Sequence, residues 1–148
     1  MASKDEEELR KLSAELRFYE QTVEALQSRI NMVNAVITDL TYAGMTLETL
    51  EKEKENSELL VPIGGNSYIK TKLQDPDKLI VGIGAGVSVE KTLSESKEIV
   101  KKRQEELDKT RMSLQQQFVQ VVETIKDHRE KIESLVAKMR EGTASKDV

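Results

Sequence analysis

The glycines of Gly82-Ile83-Gly84-Ala85-Gly86 are spaced as if to cradle a phosphate. A dinucleotide loop, however, needs its third glycine where Val87 stands, and a helix opening at once behind it. Val87-Ser88-Val89 instead continues a strand pattern, so these glycines point to a bulged or tightly bent strand. His128 is the only histidine and cysteine is absent, which leaves zinc ligation and thiol catalysis without donors. Hydroxyls such as Ser13 and Ser28 have no base near them in sequence. No nucleophile, acid–base pair or oxyanion hole assembles, so no enzyme, metal or cofactor is expected. The chemistry left to this chain is association.

The elements that would carry association are mostly helical. In 148 residues, 34% are charged, 37% hydrophobic and only 3% aromatic, with no Trp. An ordinary globular domain is about 25% charged and about 45–50% apolar, so a thick core is excluded. The net charge of −4 offers no footprint for nucleic acid. No run approaches the roughly 20 apolar residues of a membrane span. The start, Met1-Ala2-Ser3-Lys4-Asp5-Glu6-Glu7-Glu8, lacks a signal-peptide core, and the expected location is the cytoplasm.

The first segment repeats apolar residues in steps of three and four: Leu9, Leu12, Leu16, Tyr19, Val23, Leu26, Ile30, Val33, Ile37, Leu40, Gly44, Leu47. A repeat sustained over that length predicts a coiled coil rather than a globular surface helix. Ser3-x-x-Glu6 has the spacing of a capping box, and the helix is expected over 4–56. Gly44 sits on the seam, where close helix packing is its favoured explanation. A second capping box, Thr92-x-x-Glu95, opens a helix expected over 92–141 and stopped by Gly142, with a disordered tail at 142–148. Its seam runs from Leu93 to Met139 and is interrupted by Lys97, Gln104, Arg111 and His128. Polar seam residues specify register at a cost in stability. Antiparallel pairing would bring together residues whose numbers sum to roughly 145, such as Leu26 with Phe118, and Leu9 with Leu135 or Met139. His128 would space the two helices and make their ends sensitive to pH.

Between the helices, over 58–91, the period changes to two. Four short strands in two hairpins are expected, with Pro62 at an edge or a strand end. Isolated hairpins are marginal in water, and apolar edge strands invite pairing. Leu60, Val61, Ile63, Ile69, Leu73, Leu79, Ile80, Val81, Ile83, Val87 and Val89 are too apolar to stay wet on so small a sheet. They are the expected oligomerisation residues. The fold class is mainly α with a small β part: a long antiparallel two-helix coiled coil joined by two hairpins that pair with other subunits.

Three segments carry a resemblance: Glu58-Leu59-Leu60-Val61-Pro62-Ile63-Gly64-Gly65, Ser67-Tyr68-Ile69-Lys70-Thr71-Lys72-Leu73, and Lys78-Leu79-Ile80-Val81-Gly82-Ile83-Gly84-Ala85-Gly86-Val87-Ser88-Val89-Glu90-Lys91-Thr92. With flanking long helices they resemble the α class of the prefoldin family, of archaeal type, whose members carry two hairpins. The resemblance implies a hexamer of two α and four β subunits on a β-barrel base. It further implies ATP-independent holding of unfolded polypeptides at the coiled-coil tips, and their delivery to a group II chaperonin.

The tips would be the free helix ends. Helix ends fray, and a frayed seam shows its apolar residues to any apolar chain. The expected client-binding residues are Leu9, Leu12, Leu16, Phe18, Tyr19, Ile132, Leu135, Val136 and Met139, the last suited by its flexible side chain. The competing reading is a structural adaptor assembled through the same hairpins and docking one specific partner.

Overall fold

A computed structural model describes residues 3–146. In chain order the elements are α1 (Lys4–Leu50), β1 (Glu58–Gly64), β2 (Ser67–Lys72), β3 (Leu79–Gly84), β4 (Val87–Lys91) and α2 (Leu93–Lys146). They form two compact units. A terminal unit joins the chain up to Asn34 with the chain from Lys109 onward, and a hairpin unit holds Ala35–Asp108.

Both helices open on reciprocal caps. The Glu6 N–H donates to Ser3 Oγ at 3.2 Å, while the Ser3 N–H donates to the Glu6 carboxylate at 3.3 Å. Thr92 and Glu95 repeat the exchange at 3.2 Å in each direction. Each pair satisfies two N–H groups that the first helical turn cannot. Ser96 adds a 2.7 Å bond to the Thr92 carbonyl and is almost wholly buried.

The helix ends differ from expectation. Helix α1 stops at Leu50, not at 56. Asn56 takes a left-handed φ of 67°. Its N–H reaches the Leu73 carbonyl at 2.7 Å, and the Leu73 N–H reaches the Ser57 carbonyl at 2.8 Å. These bonds extend the first hairpin ladder and draw 56–57 out of the helix. At the other end, α2 continues through Gly142 to Lys146, so the stop and the disordered tail are corrected as far as that residue. Gly142 does not adopt the left-handed conformation that ends a helix. The Thr143 hydroxyl bonds the Met139 carbonyl at 2.9 Å and the Ser145 hydroxyl bonds the Gly142 carbonyl at 3.1 Å, supplying carbonyls of the last turns. The last two residues of that expected tail, Asp147 and Val148, lie outside the described residues.

In the terminal unit, Leu26, Ile30 and Leu114 form the core, covered by Val33, Phe118 and Val121. Glu15 meets His128, Glu20 meets Arg129 and Asp5 meets Lys138, pairs whose numbers total 143, 149 and 143. In the hairpin unit, Thr41 meets Gln104 and Glu51 meets Lys97, totalling 145 and 148. Within each unit the helical segments therefore run antiparallel, close to the register that the two seams dictate.

Each hairpin pairs only its own strands, β1 with β2 and β3 with β4, both antiparallel. Their turns share one design. Gly65-Asn66 and Ala85-Gly86 hold φ values of 56°, 57°, 51° and 73°, the positive pair that a two-residue hairpin turn needs. Register shifts at Pro62/Gly64 and Gly82/Gly84 place a bulge beside each turn. The glycine triplet is thus the bent strand its spacing allowed, with β4 following where a phosphate loop would need a helix.

Candidate functional site

The hairpins present apolar side chains to open space. Val61 stands opposite Ile69 and Val81 opposite Val89, so each hairpin has an apolar face. Leu60, Val61, Ile63, Ile69, Ile80, Ile83 and Val87 are exposed, while Leu73, Leu79, Val81 and Val89 are half-buried. Ile80 is the extreme at 80% exposed. Tyr68, exposed opposite Pro62, belongs with this set although its alternation with the charged Lys70 hid it.

Two polar residues orient these hairpins. The Arg103 guanidinium of α2 donates to the Gly82 carbonyl on β3. Asp77, in the turn before β3, accepts from the Leu93 N–H at 3.1 Å, tying that turn to the start of α2. Turn chemistry marked Asp77 in the sequence. Nothing in the local pattern marked Arg103.

The helix ends are zipped rather than frayed. Leu12 and Leu135 are buried, and Leu9, Leu16, Tyr19, Ile132, Val136 and Met139 are half-buried; only Phe18 of the expected set stands exposed, at 63%. Leu9, Val136 and Met139 line one open groove of about 520 Å³, beside Arg140. Leu12 and Leu135 line another of about 500 Å³, rimmed by Glu8, Asp127, Glu130, Lys131 and Lys138.

His128 does lie on the seam, buried between the helices. Its Nε2 sits 2.8 Å from a Glu15 carboxylate oxygen and its Nδ1 3.0 Å from the Thr124 carbonyl. Tyr19 meets the imidazole edge-on at 5.2 Å between centroids, and Phe18 meets Tyr19 at 5.7 Å. The hydrogen bond from His128 holds the Glu15 carboxyl below its ordinary value; desolvation opposes this, and the charges of Lys11, His128 and Lys131 assist it. Glu15 escaped the sequence reading because it stands off the seam, although a pair total near 145 places it within a turn of His128. Among the described residues, no group of three or more His, Cys, Asp or Glu side chains could hold a metal.

Residues 19–139 match the family model of the prefoldin subunit. The chain belongs to the prefoldin family. Its relatives include the prefoldin alpha subunit of Methanosarcina barkeri, 37% identical over 112 residues, covering 74% of this chain and 78% of the relative. That of Methanosarcina mazei is 30% identical over 141 residues, covering 93% and 96%. Among solved structures, a chain of filamentous PFD from Methanocaldococcus jannaschii matches with a TM-score of 0.66 at 27% identity, covering 76% of this chain and 93% of that one. Prefoldins are chaperones, a non-enzymatic class, and these alpha-subunit relatives agree with the two hairpins of the α class. Among the described residues, no helix is long and apolar enough to cross a membrane.

Proposed function

We propose that this chain is the α subunit of an ATP-independent holdase that captures unfolded polypeptides at its helix ends and delivers them to a group II chaperonin. Its partners are prefoldin β subunits, four to every two α chains, paired through the hairpins into a β-barrel base. It acts in the cytoplasm and needs no cofactor. The exposed apolar side chains of the hairpins carry this reading, with Ile80 foremost. Residues so apolar on two-stranded sheets demand a protein surface to cover them.

Capture would draw on Leu9, Val136, Met139 and Phe18, which are already accessible, and on Leu12, Leu16, Tyr19, Ile132 and Leu135 when the seam opens. Contacts of this kind are individually weak, so several helix ends acting together would set the affinity. Native mass spectrometry after purification from its own cells should show two copies of this chain with four of a smaller coiled-coil protein. A monomer would overturn the assembly. Removal of 1–16 and 132–148 should abolish aggregation suppression of several unrelated unfolded proteins without ATP. Suppression of none by the intact assembly would favour an adaptor with one specific partner. A second reading, self-assembly through the same hairpins, is favoured by the likeness to the filamentous PFD chain. Polymers of this chain alone would support it.

A further inference from the structure

His128 is the single histidine of the chain, and both its ring nitrogens face acceptors. One is the Thr124 carbonyl, one turn earlier on α2; the other is the Glu15 carboxylate on α1. A neutral imidazole carries one N–H, so it can donate to only one of them. Its bare nitrogen would then face a lone pair at hydrogen-bond distance. An imidazolium donates to both. His128 is only 8% exposed, which leaves little room for water to mend the mismatch.

The His128 hydrogen bond, ahead of any neighbouring charge, holds the Glu15 carboxyl below its ordinary value. From α1, Lys11 lies 4.0 Å from Glu15, and from α2, Lys131 adds its positive charge. Tyr19 of α1 closes one side of the imidazole. Beside the cluster, Arg129 is already held by Glu20 at 3.1 Å. Glu15 is therefore the anion that meets the buried ring.

We propose that His128 and Glu15 form a proton-operated clasp: the imidazolium pins α2 to α1, and loss of its proton sets acceptor against acceptor and loosens the terminal seam. The seam residues freed on either side are Leu12, Leu16 and Tyr19 on α1, with Ile132 and Leu135 on α2. The consequence for client capture rests on the holdase reading; the clasp itself does not.

The test is amide hydrogen exchange of the full chain in its assembly at pH 6 and pH 8, corrected for the intrinsic pH dependence of exchange. Protection over 12–20 and 124–135 should fall about ten- to a hundredfold at the higher pH, as expected for loss of one charge-assisted bond. Glu15→Gln should flatten that change, because its amide can donate to a neutral Nε2. His128→Leu should flatten it as well, whatever the variant's absolute protection. Ring ¹⁵N resonances of the one histidine should show both nitrogens protonated at pH 6. Unchanged wild-type protection, or an undiminished pH response in both variants, would overturn the clasp. No client is present in these measurements, so failure of capture at the helix ends leaves them decisive.

Discussion

The Gln104 side-chain amide donates to the Thr41 hydroxyl at 3.3 Å, joining α2 to α1 inside the hairpin unit at a seam position where leucine would pack better. Lys97, two seam steps earlier, pairs with Glu51, the residue just past the end of α1. These polar pairs occupy positions where other registers would strand a charge or an amide against apolar side chains. They specify alignment more than they stabilise it. Gln104→Leu should therefore raise the thermal midpoint, because an exposed neutral hydrogen bond contributes only about 0.5–1.5 kcal/mol and the new side chain buries apolar area. Differential scanning calorimetry reads the change, and a lower midpoint would show that the bond outweighs the apolar gain.

Gly44 faces Val100, but a Cβ built on it would come no nearer than 4.0 Å to the valine methyl, an ordinary contact. Close packing, the favoured explanation for a seam glycine, does not require it. Gly44→Ala should stabilise the helix by about 0.5–1 kcal/mol, the usual difference in backbone entropy. Chemical denaturation measures this directly. Destabilisation would mean that assembled subunits press on this site.

The seams made the helix register legible, since a three-four spacing kept over both segments, with polar residues at only a few seam positions of the second, allows few alignments. Caps were legible for the same reason: Ser3–Glu6 and Thr92–Glu95 are local pairs. The end of α1 was not, because it is decided by Asn56 bonding to Leu73, 17 positions away in the chain. The end of α2 was misread because Gly142 looks like a stop, and only the hydroxyls of Thr143 and Ser145 show why the helix goes on. For the site, the hairpin residues were legible as apolar alternation. The state of the helix ends was not, since a seam pattern is the same whether zipped or open.

Glu15 sets the acid limit of the terminal unit. Its carboxyl is held below its ordinary value of 4.5, chiefly by the His128 hydrogen bond. A group depressed on folding contributes stability above its unfolded value and loses it as pH falls through the folded one. Acidification from about pH 5 to about pH 3 should therefore weaken the terminal unit through this carboxyl. Glu15→Gln cannot titrate and should lose less stability over that interval than the natural chain. Thermal unfolding followed at several pH values checks it; identical slopes would show that Glu15 takes no part in acid unfolding.

Ile80 offers the sharpest separation between folding of the chain and assembly of its copies. It is 80% exposed, opposite Glu90 on β4, and its side chain adds little to the hairpin on its own. Exposed substitutions usually change stability by less than about 0.5 kcal/mol. A carboxylate buried in an intersubunit barrel, by contrast, costs several kcal/mol unless it finds a partner. Ile80→Asp should thus leave the helical circular dichroism of the chain intact while abolishing its incorporation into oligomers, read by native mass spectrometry. Lys70 makes a useful control, because it already places a charge on the first hairpin, opposite Leu60. Lys70→Asp should be milder than Ile80→Asp if Ile80 lies in the intersubunit contact. Full assembly of the Ile80→Asp chain would place the contact elsewhere, on the opposite face that holds Val81 and Val89.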